Sequence, residues 1–149
     1  MCDASSRAIN VDLPNDVMEL LNDREAVKTL ATIADDGTTS LLAVKAVRAP
    51  EPSVIVLAQV KAKQLYSELL HHMETGRLAS ILCLSAREER QVAYQIICSV
   101  REFQSAGPLY EKFLDELRAR YVDLDGVWVF DPVDIVDRSA SFGPGTRAL

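Results

Sequence analysis

Residues 26–47 read AVKTLATIADDGTTSLLAVKAV, and this stretch decides the fold. Two runs rich in β-branched and aliphatic residues, 26–34 and 38–47, flank Asp35-Asp36-Gly37. Strand-like runs around Asp-Gly predict a β-hairpin, because glycine accepts the positive φ that a tight turn requires. Upstream, Leu13-Pro14-Asn15-Asp16 opens a helix. Proline is tolerated in a first helical turn, and Asp16 and Glu19 suit the positive end of the helix dipole. Val17, Leu20 and Leu21 form its apolar stripe, and Asn22-Asp23 ends it.

Downstream, residues 48–53 carry Pro50 and Pro52 and are expected to break the strand, after which 54–60 read as a third strand. Residues 61–73 read as a helix with Leu65, Tyr66, Leu69 and Leu70 as its apolar side, stopped by Gly76. The nearly all-apolar run 78–84 predicts a short strand buried on both faces. Glu88-Glu89-Arg90 is a charged turn, and 91–103 alternate as a long strand. Ser105-Ala106-Gly107-Pro108 starts another helix, with Leu109, Phe113, Leu117 and Tyr121 at i, i+4, i+8 spacing. Val127-Trp128-Val129-Phe130 is a final strand that continues past Pro132 with a bend. The order α-β-β-β-α-β-β-α-β holds too few β-α-β units for a doubly wound parallel sheet. It predicts a mainly β protein, a small antiparallel barrel of about six strands with helices packed outside.

The chain has 149 residues, which suits one domain. Residues 1–12 are expected to be a flexible N-terminus, 13–138 the barrel domain, and 139–149 a flexible C-terminal tail. Hydrophobic residues make up 48% and charged residues 26%, a globular balance. Sixteen basic against 22 acidic residues give a net charge of −6. Binding to nucleic acid by counterion release needs Lys and Arg in excess, so that class is disfavoured. A small anionic ligand needs only a few placed cations and remains open. Cys2, Cys83 and Cys98 have no CxxC spacing, and their odd number fits a reducing cytoplasm. Cys83 and Cys98 fall in apolar strands and are expected to pack as small hydrophobes. His71 and His72, the only histidines, are adjacent, so on a helix they diverge by about 100° and do not share a metal. No apolar run approaches the ~20 residues that span a bilayer, so no membrane partner is expected.

Five stretches, taken together, resemble the pyridoxamine 5′-phosphate oxidase-like FMN-binding split-barrel family. They are Leu30-Ala31-Thr32-Ile33-Ala34-Asp35-Asp36-Gly37-Thr38, similar to the family's opening hairpin, and residues 53–58, similar to its third strand. Lys63-Gln64-Leu65-Tyr66-Ser67-Glu68-Leu69 is similar to its "KT..NL" helix start. Tyr94-Gln95-Ile96-Ile97-Cys98-Ser99-Val100 is similar to its "yqikG.a" strand, and Gly107-Pro108-Leu109-Tyr110-Glu111 to its "Gp.ye" helix. The resemblance spans roughly residues 14–136.

The resemblance implies an antiparallel split β-barrel with flanking α-helices, working as a homodimer with FMN at the dimer interface. Carried onto this chain, the cofactor positions are Ala43, Val44 and Lys45 (with Leu42), then Gln59, Val60 and Lys61, then Lys63 and Gln64. Lys63 is physically coherent there, since a cation beside the outward N–H groups of a helix start suits a phosphate. Three of the chain's five lysines, Lys45, Lys61 and Lys63, lie in these stretches; the plain alternative for them is solvated surface charge. Two departures stand out. Gln64 occupies the place where the family often has Thr, and Leu41-Leu42-Ala43-Val44 offers no polar side chain where the family offers Asn, Thr or Ser. No side chain stands out as a general acid or base, so the flavin itself would carry the chemistry. The expected function is a cytoplasmic flavoprotein oxidoreductase or electron carrier with an unknown small-molecule or redox partner. The alternative is a dimeric barrel that has lost flavin and serves as a binding or regulatory module. Trp128 is expected in the core or at a dimer contact rather than stacked on a flavin.

Overall fold

A computed structural model describes residues 10–60, 63–87, 90–117 and 124–141. The elements are α1 (Asn15–Asn22), β1 (Val27–Ile33), β2 (Thr39–Ala43), β3 (Val47–Glu51), β4 (Val54–Val60) and α2 (Lys63–Thr75). They are followed by β5 (Ala79–Arg87), β6 (Arg90–Gln104), α3 (Pro108–Leu117), β7 (Leu124–Asp137) and β8 (Ala140–Ser141). The strands pair antiparallel in the order β2-β1-β5-β6-β7-β4-β3, and β8 joins β6. As predicted, Asp35-Asp36-Gly37 turns β1 into β2, with Gly37 at φ 88°.

The strand order forces a curl. β2 and β3 lie at opposite ends of the order, which in a flat sheet would be about 29 Å apart. Only Val44, Lys45 and Ala46 join them, a link that reaches about 14 Å at most. The Val44 N–H donates to Lys28 O on β1 (2.9 Å), and Ala46 O accepts from the Ala58 N–H of β4 (3.0 Å). The link therefore bonds to both ends of the sheet, and the strands wrap round one interior without closing into a full ladder.

Alternate residues fill that interior. Leu30, Ile55, Leu57, Ile81, Ile96, Trp128 and Phe130 are all buried in one cluster. Helix α1 adds Val17, Leu20 and Leu21, and α2 adds Leu65 and Leu69. The Trp128 indole N–H donates to Gln59 Oε1 (2.9 Å), and its ring packs with Tyr66 and Phe103 at centroid distances of 5.4 and 4.9 Å. Trp128 is thus a core residue, and Tyr66 packs on it from α2. On the outer side of β4 and β7, Phe113 of α3 covers Val54, Val56, Ala58, Val127 and Val129.

Two details differ from the sequence expectations. Residues 48–53 do not simply break a strand, because most of them form β3 and its turn into β4. Pro50 is tolerated because β3 is the last strand of the order and its register is irregular between Arg48 and Glu51. Nor is the run 78–84 buried on both faces. Ala79, Ile81 and Cys83 point inward, but Leu82 is 38% exposed, since α3 covers β4 and β7 instead. Of the expected tail, Ala140–Ser141 pairs with β6, and residues 142–149 lie outside the described residues, as do Cys2 and Tyr121.

Among the described glycines, Gly126 is the one where an added Cβ would clash. A Cβ there would meet Phe103 Cζ at 2.5 Å and Gln104 O at 2.6 Å. Gly126→Ala is expected to lower unfolding stability by about 1–3 kcal/mol, as overpacking does, measured by urea denaturation. An unchanged midpoint would contradict this packing.

Candidate functional site

The positions named from the sequence fall on three neighbouring segments. Ala43 ends β2, exposed and paired with Thr29. Val44 is buried, while Lys45 is exposed in the link between β2 and β3. Its carbonyl accepts from Arg48 Nη1 (3.3 Å). Gln59 and Val60 finish β4, where a register shift separates their pairing with Gly126 and Leu124. Lys61 lies outside the described residues, and Lys63 is the first residue of α2. Gln64 follows, exposed. The bonds of Val44 and Ala46 bring the β2–β3 link against the end of β4. Glu68 then ties α2 to the β1–β2 hairpin.

Glu68 is a residue that sequence reasoning missed. Its carboxylate accepts from Thr32 Oγ1 (2.9 Å), Gln64 Nε2 (3.1 Å) and Ser40 Oγ (3.4 Å). The i, i+4 spacing of Gln64 and Glu68, and the alternation that turns Thr32 and Ser40 to the same side, were the available signals. The consequence is chemical. The Gln64 amide nitrogen is turned to Glu68, and the Gln59 amide oxygen is held by Trp128. Among the named positions whose side chains are described, the polar ones exposed to solvent are Lys45 and Gln64.

His72 braces the same helix. Its Nε2 accepts from the Ile33 N–H (3.1 Å), so its Nδ1 carries the proton and donates to Glu68 O (2.8 Å). His71 Nε2 meets Asp35 Oδ1 at 2.7 Å instead, so the two histidines serve different partners. The His71 hydrogen bond, with Arg77 adding to it, holds the Asp35 carboxyl below the usual carboxylate range. Burial pushes the Cys83 thiol up to about 11 and the Cys98 thiol up as well, so both are protonated packing residues.

The convex face of β1, β2, β5 and β6 is a second surface. Val27 (56%), Leu41 (70%) and Leu82 (38%) are exposed there, and nothing among the described residues covers them. A shallow depression of about 610 Å³ runs across it, lined by Ala31, Leu41, Leu82 and Leu84 with Ser80, Gln95 and Arg138. The Arg138 guanidinium donates twice to Gln95 Oε1 (3.1 and 3.0 Å), and Gln95 Nε2 donates to Ser80 Oγ (3.2 Å). A polar belt thus crosses an apolar sheet face. Gln95 faces outward here, whereas Tyr94 points the other way and its hydroxyl donates to Asp16 (2.7 Å).

No family model matches the chain, and no curated protein matches it. Solved structures do. HupZ of Group A Streptococcus superposes with TM-score 0.68 at 14% identity, covering 89% of this chain and 99% of that one. An FMN-binding protein from Syntrophomonas wolfei subsp. wolfei has TM-score 0.67 at 15% identity, covering 82% and 88%. A Lactobacillus delbrueckii protein provisionally assigned as a pyridoxamine 5′-phosphate oxidase has TM-score 0.61 at 13% identity, covering 87% and 98%. At these identities the likeness is one of fold. The chain has the split-barrel fold of the pyridoxamine 5′-phosphate oxidase-like, flavin-binding proteins. Among the described residues, no helix is long and apolar enough to cross a membrane.

Lys28 lies directly under the β2–β3 link, almost wholly buried, and its ammonium donates to Asp23 O (2.6 Å). Burial, and then the charge of Arg48, hold its pKa below 10.5. The folded chain therefore gives up this proton at a lower pH than the unfolded chain, and stability gains as pH rises toward 10.5. Urea unfolding of Lys28→Met is expected to lack that gain. An identical pH profile in wild type and variant would contradict the assignment.

Proposed function

We propose that this chain is an FMN-binding split-barrel flavoprotein, an oxidoreductase or electron carrier, whose flavin site is completed by a second copy. The observation that carries the reading is the exposed apolar face of β1, β2, β5 and β6 with its Ser80-Gln95-Arg138 belt, on a fold shared with an FMN-binding protein. A face of this kind favours burial against another protein surface. A copy of the same chain supplies a self-complementary patch by two-fold symmetry.

In this reading Lys45, Lys61 and Lys63 of one copy hold the cofactor phosphate. Main-chain groups of residues 43–45 and 59–60 border the ring, and Gln95 and Arg138 of the second copy meet its polar edge. The donor set fits such a group, since lysines and a guanidinium suit a phosphate and a carbonyl-rich ring edge. Bound FMN supplies hydride or single-electron transfer. The chain's own residues bind, orient and shield. Leu41, on the open face with Leu82, excludes water beside the ring position, and no side chain is assigned as a general acid or base. The buried, protonated Cys83 and Cys98 accord with a reducing cytoplasmic compartment.

A second reading, a dimeric barrel that binds no flavin and works as a regulatory module, draws on the commitment of Gln59 and Gln64 to other partners and on the carboxylate of Glu68 within α2. Titration of the purified full chain with FMN, followed by quenching of flavin fluorescence, separates the two. The proposal predicts saturable quenching, weakened about tenfold by Lys63→Ala through the lost charged contact. It also predicts that Leu41→Asp loses dimer and flavin together. Absence of quenching by a folded, dimeric wild-type protein would establish the second reading instead.

A further inference from the structure

A cavity of about 360 Å³ lies between the end of α1, β3 and α3, on the opposite side of β4 from the core. Its apolar floor is formed by Val56, Leu109 and Phe113. Three cations line it, Arg24, Arg48 and Lys112, and none of its lining residues is acidic. In a chain of net charge −6, three cations without a carboxylate in one cavity wall are a local reversal of sign. Arg24 and Lys112 are exposed at the rim, while Arg48 is 9% exposed.

The placement of Arg48 is not accidental to the fold. Its Nη1 donates to Val47 O (2.8 Å) and Lys45 O (3.3 Å), which fixes the head of the side chain against the β2–β3 link. It also sits near the buried Lys28, whose ammonium its charge disfavours. The Asp23 carboxylate offsets part of this at Lys28, and the positive potential that faces the cavity is that of Arg24, Arg48 and Lys112 along its wall. A volume of this size accepts a small molecule rather than a chain segment, and an apolar floor with a few polar anchors is the usual make-up of a ligand pocket.

We infer that this cavity binds a small organic anion, with an apolar ring or branched chain on Val56, Leu109 and Phe113 and its phosphate or carboxylate between Arg24, Arg48 and Lys112. None of the lining residues is a flavin position, although Arg48 bonds to the Lys45 carbonyl in the adjoining β2–β3 link, and the inference does not rest on the flavin reading. Planar guanidinium groups accept both oxyanion types in bidentate geometry, so the oxyanion on an apolar body is the recognised chemistry.

Isothermal titration of the full chain with phenyl phosphate, benzoate, inorganic phosphate and benzyl alcohol tests this. Phenyl phosphate and benzoate are expected to bind more tightly than either inorganic phosphate or the neutral alcohol, because both the charge and the ring are needed. The rim double variant Arg24→Ala/Lys112→Ala is expected to weaken the two ring-bearing anions about tenfold or more, as loss of charged hydrogen bonds does. Its unfolding midpoint should stay near wild type, since both side chains are exposed. Lys63→Ala should leave this binding unchanged, which separates the cavity from the flavin phosphate position. The inference is overturned if the ring-bearing anions do not bind. It is equally overturned if the double variant binds them as wild type does, or if Lys63→Ala abolishes their binding.

Discussion

Three residues, Val44, Lys45 and Ala46, join the two strands that stand at opposite ends of the sheet order. Everything else in the barrel follows from the shortness of that link. A flat sheet would leave its ends too far apart for it, so the strands curl and their alternate side chains converge on one interior. The link itself is pinned on both sides, by Val44 to Lys28 and by Ala46 to Ala58. Beneath it lie the buried Lys28 and Arg48, which donate hydrogen bonds to the carbonyls of Asp23, Lys45 and Val47, with the Asp23 carboxylate also favouring the charge of Lys28.

Curling decides which surfaces are left over. The outer side of β4 and β7 is taken by α3, so those strands are apolar on both faces. The outer side of β1, β2, β5 and β6 has no such cover among the described residues, and it is apolar nonetheless. Glu68 and His72 fix α2 over the β1–β2 hairpin, which stiffens the edge of that open face. Helix α3 covers the outer side of β4 and β7, and a second copy of the chain is the proposed cover for the outer side of β1, β2, β5 and β6.

Much of this was legible in the sequence. Asp35-Asp36-Gly37 announced the hairpin, residues 54–60 the strand, and the spacing of Leu65 and Leu69 the packed side of α2. The large buriable area of Trp128 predicts a place in the core or at a dimer contact, and it lies in the core. The β3 strand was hidden because Pro50 reads as a breaker, and only the strand order reveals that β3 is an edge where a missing N–H costs little. The exposure of Leu82 was hidden because an apolar run carries no mark of which of its faces another element will cover. Apart from Gln64–Glu68, four residues apart, and Ser80–Gln95, 15 apart, the hub at Glu68 and the belt from Ser80 through Gln95 to Arg138 depend on partners 28 to 43 residues apart. Local spacing marks only the Gln64–Glu68 pair and the shared side of Thr32 and Ser40, and no local pattern encodes the long-range contacts.

The central claim is that one flavin site takes residues from two copies, the lysines of one and Arg138 of the other. Mixing two defective proteins tests it directly. Lys63→Ala and Arg138→Ala are unfolded together, refolded as a mixture and titrated at FMN concentrations that fill the wild-type site but leave the weakened site of either variant largely empty. If the site is shared across a two-fold interface, mixed dimers regain one intact site, and about a quarter of the wild-type FMN capacity returns. A mixture that binds no more FMN than either variant alone would contradict the account.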